Sequence, residues 1–377
     1  MASSLTRTSR QENSALLLGG LGFLVGAAFG LILLRPHSAI FGQGSVGELG
    51  AFVALFGGGL GFLIGMLTGR QQHPWLARLS RFRRGVDIAG LAIVHGLFAF
   101  FAATAAYAVF AGAFRTLELD RYAGAFTIGL VCAICAYVSA SSAASMTTES
   151  LSVLVASFLV VGALGSALSS SDPQWWLQHF SALGAAADRS GVLFNFTLIL
   201  TGLVLVALAD FLTQDLERWA DHHGEPTWKV RAVRLALIAL GLLLGLVGVI
   251  PVNLSMFWHN MVTYGAIGVF VLLLVGVPVL FGRLPGGFVA VTLIVVGLMA
   301  AVVWLHLGIG YLNITAFEAG AVGTVFVWLV LFIRTVTAAA NEVPDPRDRS
   351  PEPFDGWTCR YVYPIAPQGP ELSPCAA

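Results

Sequence analysis

The chain has 377 residues, 57% of them hydrophobic and only 11% charged, with twenty basic and twenty acidic side chains and a formal net charge of zero. A soluble domain carries roughly 25% charged residues, and a globule in water cannot hide this much apolar surface, so the composition excludes a soluble fold and predicts an all-α polytopic membrane bundle. With no basic field to recruit phosphate, nucleic-acid partners are excluded as well.

Residues 1–14 are polar. The first apolar run, Ala15 to Leu34, is long enough to span a bilayer and longer than the core of a signal peptide, so it is read as a first transmembrane helix. Nine further runs follow, at 49–69, 87–113, 122–143, 151–169, 191–213, 233–250, 259–281, 287–307 and 315–336. Threading ten spans divides the basic residues unevenly. Sixteen fall on one side, and only Arg35, Arg115, Arg121 and Arg189 on the other. Basic loops stay in the cytoplasm, so both termini are expected there, in a multi-pass protein of the plasma membrane.

The first two helices carry a repeat: GGLGFLVG at Gly19–Gly26 returns as GGLGFLIG at Gly58–Gly65. Small residues every fourth position let helix backbones approach closely, which predicts a tight hairpin and offers Gly22, Gly26, Gly61 and Gly65 as an oligomer contact. Residues 70–86 hold five arginines with Trp75 and Phe82 interleaved, suiting either a helix on an anionic leaflet or a plain topology signal. His95, near the start of the third helix, is expected to hydrogen-bond a neighbouring helix. Cys132 and Cys135 form a C-x-x-C inside an apolar run, where the thiols are read as packing groups.

The third outer loop carries the densest chemistry, Trp175 to Asn195 (WWLQHFSALGAAADRSGVLFN). Asp172 followed by Pro173 is an N-cap signal, and Trp176, Phe180 and Leu183 recur at helical spacing. Together they predict a short amphipathic helix over 173–183 with its tryptophans at headgroup level. Asn195, in the first turns of the next span, needs a hydrogen-bond partner. The cytoplasmic segment 210–234 mixes both charges and reads as a solvated connector; its His222 and His223 lack the ligand spacing for a metal. After Ala340 the tail holds eight of the fifteen prolines and is expected to be extended or disordered.

Enzyme signatures are missing: there is no G-x-S-x-G, H-E-x-x-H or G-x-x-x-x-G-K, and His259 is followed at the fourth position by Thr263 rather than a second histidine. No cofactor or metal is implied. Two polar residues fall inside apolar runs near the outer face, His306 and Glu318. They could meet across one hairpin as a proton relay or as a registry pair, since an ionisable group in a membrane needs a partner or water.

The segment from about Leu151 to Arg334 resembles the bacterial membrane family known as domain of unknown function 998. The likeness rests on Trp175-Trp176, on HFSALG at His179–Gly184, on Ser190 to Asn195 opening a helix, and on Trp258-His259-Asn260. That layout is distantly similar to the DRAM and Sfk six-helix membrane proteins, which are linked to lipid handling. The resemblance implies a six-helix core at 148–340, preceded by a Gly-rich hairpin with its basic loop (1–86) and a second helix pair (87–147), and followed by the tail (341–377). The resulting expectation is a membrane protein that engages lipid at the outer leaflet. Its contacts would be drawn from Trp175, Trp176, His179, Asp188, Arg189, Asn195, His259 and Asn260. The alternatives are a proton-coupled small-molecule transporter working through His306 and Glu318, and an intramembrane lipid hydrolase.

Overall fold

In the computed structural model, which describes residues 2–69 and 80–342, ten helices are long and apolar enough to cross a membrane. They are α1 (Ala2–Leu33), α2 (Val46–Thr68), α3 (Arg81–Ala113), α4 (Arg121–Ala144), α5 (Thr148–Leu168), α7 (Arg189–His223), α8 (Thr227–Val249), α9 (Met256–Leu280), α10 (Gly286–Val303, prolonged by a π turn to Gly308) and α11 (Ile314–Asn341). A one-turn helix, α6 (Ala182–Ala185), sits in the loop before α7. Two short strands, β1 (His37–Ala39) and β2 (Glu118–Asp120), pair antiparallel with His37 opposite Asp120. The basic segment 70–79 and the Pro-rich tail after Glu342 lie outside the described residues.

Helix starts follow local chemistry. The side chains of Ser45, Ser80, Asp120, Asp188, Ser255 and Asn313 each accept a backbone N–H of the first turn, and Thr147 with Ser150 forms a reciprocal capping box. Gly224 ends α7 in the left-handed conformation at φ 69°. The β1–β2 pairing puts the α1–α2 and α3–α4 connections on one face, as alternating crossings require. Arg81, Arg83, Arg84, Lys229, Arg231 and Arg283 lie at the other face, here called the arginine-rich face; the first is the loop face.

The glycine repeat is used differently from the hairpin that the sequence predicts. Both copies clasp α4. A Cβ on Gly26 would lie 2.9 Å from that of Cys132, and Cβ atoms on Gly61 and Gly65 would lie 2.6 and 2.9 Å from the carbonyl oxygens of Ala136 and Ala140. Helix α4 can take a partner on two sides because Gly124, Ala125, Gly129, Ala136 and Ala140 keep its own surface low. Gly22, Gly26, Gly61 and Gly65 are thus engaged within the chain. Cys132 is buried in this contact and, like Cys135, is a free thiol.

The larger core runs from the ends of α2 and α3 through α5 to α11, around Phe158, Trp219, Phe281, Trp328 and Phe332. Trp328 stacks on Phe332 at 5.2 Å and donates its indole N–H to Thr292 Oγ1 at 3.1 Å, satisfying the one polar atom it buries. His95, also buried, lies on the Phe62 ring at 4.2 Å; its Nδ1 meets the Leu91 carbonyl and its Nε2 the Ser142 hydroxyl, at 2.8 and 3.0 Å. It joins α3 to α4, the neighbouring-helix bond expected of it.

Candidate functional site

On the loop face, residues 169–188 connect α5 to α7 and are closed by one carboxylate. Asp188 Oδ2 accepts the backbone N–H and the hydroxyl of Ser171 (2.8 and 2.5 Å), while Oδ1 accepts the same two groups of Ser190 (2.9 and 2.5 Å). The hydroxyl of Ser171 and then that of Ser190, with the backbone donors, hold this carboxyl well below the usual carboxylate range.

The helix predicted over 173–183 does not form. A 3-10 turn spans Trp175–Leu177, the chain breaks at Gln178, and α6 follows. Asp172 makes a local turn through Gln174 N–H at 2.8 Å instead of capping a helix. The cause lies in α11. A helix here would bond the Phe180 N–H to the Trp176 carbonyl, four residues back. In the structure the Phe180 N–H donates to Glu318 Oε2 at 2.5 Å, and the Trp176 carbonyl accepts from Asn313 Nδ2 at 3.0 Å. Two side chains of one distant helix divide the pair between them.

Beneath the loop, the Phe180 ring packs edge-on between Trp175 and Phe194, with centroids 6.0 and 5.5 Å away, and Leu183 is buried. Asn195 finds its required partner in the loop itself, donating to the Gly184 carbonyl at 2.8 Å. His179 Nδ1 meets Ser181 Oγ at 3.0 Å. Trp176 and Leu177 are 48% and 54% exposed, and Arg189 is exposed beside them, as are the polar Asp172, Gln174 and Gln178.

The other candidates sit elsewhere. His259 is buried at the start of α9, its Nδ1 2.7 Å from the Ile250 carbonyl, and it pins the α8–α9 connection. Among the described residues, neither His259 nor Asn260 hydrogen-bonds the 169–188 loop. His306 lies in the π turn, stacked on Phe317 at 4.7 Å with Nδ1 2.8 Å from the Leu312 carbonyl. His306 and Glu318 therefore hold separate backbone partners. The loop and α11 bring together Trp175, Trp176, Asp188, Asn195 and Glu318.

Sequence reasoning missed a second polar centre, on the arginine-rich face. Helix α7 runs on to His223, so the expected solvated connector at 210–234 shrinks to Gly224–Pro226, and Asp210 is buried. Its carboxylate sits between Arg83 Nη2 at 2.8 Å and Arg234 Nη2 at 2.9 Å, tying α7 to α3 and α8. The buried Asp87 lies 3.9 Å from Arg83. One turn further, Asp215 accepts the hydroxyls of Thr148 and Thr337 at 2.7 and 3.0 Å, joining α5, α7 and α11. Asp210 follows the apolar run LVLVALA directly, and the rule that singled out Glu318 would have found it. Among the described residues no group of three or more His, Cys, Asp or Glu side chains could hold a metal ion.

Comparison with protein-family models, with curated proteins and with solved structures returned no match. Fold and composition define an integral, multi-pass, all-α membrane protein.

Proposed function

We propose that this protein engages lipid at its loop face without chemistry of its own, using the 169–188 loop as a rigid interfacial platform. The observation that carries the reading is the contrast among the candidate side chains in and around that loop. Asp188, His179, Asn195 and Glu318 are spent on internal hydrogen bonds, whereas Trp176, Leu177 and Arg189 point outward. An indole and an aliphatic group beside a guanidinium suit the boundary between acyl chains and phosphate headgroups. A hydrolase needs its polar groups free to converge on a substrate, and these are tied to backbone and serine partners. The resemblance carried by the Trp175 to Asn195 residues and Trp258-His259-Asn260, whose layout is distantly similar to the lipid-linked six-helix proteins, points the same way.

A photoactivatable phospholipid incorporated into proteoliposomes tests the reading. Label mapped by mass spectrometry should appear on the Trp176–Leu177 peptide and fall in a Trp176→Ala, Arg189→Gln variant. Absence of label from residues 169–188, while the spans are labelled, would overturn it.

The competing reading, a proton-coupled transporter relaying through His306 and Glu318, requires those side chains to exchange a proton. Their separate attachment to Leu312 and Phe180 counts against it.

A further inference from the structure

Helices α2 and α3 cross closely near Gly59 and Gly96, where a Cβ on Gly96 would lie 2.6 Å from the Leu55 carbonyl oxygen. Toward the arginine-rich face the larger side chains Leu63 and Leu67 on α2 prevent an equally close approach. On α3 the facing positions Gly85, Ala89 and Ala92 are small and fall at i, i+4 and i+7, one stripe of a helix. Large residues on one side and small ones on the other leave a groove of about 810 Å³, within the roughly 300–1,000 Å³ typical of small-ligand sites. Its walls are Leu63, Leu67, Ile88 and Ile93, and at its end stand Arg81 and Arg84.

The third arginine of that turn behaves differently. Arg83 points into the bundle, where Asp210 and Asp87 balance it. In the first turn of α3, Arg83 thus faces the bundle, whereas Arg81 and Arg84 line the apolar groove. Both ends of the groove constrain what can fill it. The apolar length lies within spans α2 and α3, so the occupant carries hydrocarbon, and the cationic end lies at the span boundary, so it carries an anionic group there.

We propose that this groove is a binding site for an anionic phospholipid of the leaflet on the arginine-rich side. The headgroup phosphate lies against Arg81 and Arg84, and an acyl chain runs along Leu63, Leu67, Ala89 and Ile93. This site is separate from the loop-face platform and does not depend on that reading.

The test uses the full chain purified in mild detergent, with phosphatidylglycerol or phosphatidylcholine added and bound lipid counted by native mass spectrometry. The unaltered protein should retain phosphatidylglycerol in preference to phosphatidylcholine. Arg81→Gln with Arg84→Gln should weaken phosphatidylglycerol retention roughly thirtyfold, the value for two basic side chains at an anionic surface. Ala89→Trp, which fills the groove and keeps both arginines, should also release the lipid. Equal retention of the two lipids by the unaltered protein would overturn the proposal without any variant. So would an Ala89→Trp variant that leaves phosphatidylglycerol bound, because the arginines would then act as surface charge alone.

Discussion

Phe180 gives its backbone N–H to the Glu318 carboxylate, 138 residues away in sequence, and so cannot give it to Trp176. This bond and the one from Asn313 to the Trp176 carbonyl fold the 169–188 loop onto the first turns of α11.

Replacing Glu318 with leucine should leave the Phe180 N–H without its acceptor. A hydrogen bond to a charged group contributes about 1.5–3 kcal/mol, so exchange of the Phe180 amide should speed up roughly ten- to a hundredfold. Glu318→Gln keeps a carbonyl acceptor and should recover most of the protection. Hydrogen–deuterium exchange of the 175–186 peptides reads both, and unchanged protection in the leucine variant would show that the loop is held by packing alone.

Asp188 governs the same loop by charge. Its carboxyl is depressed in the folded protein, so the stabilisation is full above the unfolded value, about 3.9, and is lost as pH falls through the lower folded value. Loop protection, corrected for intrinsic exchange, should therefore stay flat from neutral pH down to about pH 4 and decline only in stronger acid. A transition centred near neutrality would assign control to some other group. Asp120, depressed by the N–H groups of Ala123 and Tyr122, has the same sign at the start of α4.

On the arginine-rich face, Asp210→Ala should be the most damaging single removal of a charge. It takes the carboxylate partner from Arg234 and leaves Arg83 with the more distant Asp87, 3.9 Å away. Breaking a buried pair costs about 3–5 kcal/mol, and because these arginines are 30% and 40% exposed the loss should fall at or below about 3. Asp221→Asn, at an exposed position on the same helix, should change stability by less than about 0.5 kcal/mol. Thermal unfolding of the two variants in detergent compares them directly, and equal midpoints would rule out a stabilising role for the clamp.

The glycine stripes make a positional prediction. Gly61→Leu drives a side chain into the Ala136 backbone and should abolish monodisperse protein in size-exclusion chromatography. Gly20→Leu, in the same repeat motif but with no atom within 4 Å of its Cβ, should elute as the parent does. If both behave alike, the α4 clasp is wrong.

Much of the fold was legible from hydropathy. All ten spans stand where the apolar runs fall, because a chain crossing hydrocarbon must satisfy every backbone group within the helix and therefore advertises each crossing by its length. The caps were not read in advance: Ser45, Asp188 and Asn313 each reach only their own first turn, while the one cap signal read from the sequence, Asp172, closes a local turn instead. The polar chemistry was less legible. Trp176, Phe180 and Leu183 carry a helical spacing, and by itself it called for a helix. Only the arrival of Asn313 and Glu318 from α11 decided otherwise, by taking the two backbone groups that helix needed. Asp210 read as part of a wet connector until α7 was seen to carry it between Arg83 and Arg234. The glycine repeat declared close packing but not its partner, which proved to be α4. Periodicity and length are properties of one segment, and the sequence by itself determined those. Hydrogen-bond partners and ion pairs between helices belong to two segments at once, and only the tertiary structure decided which two.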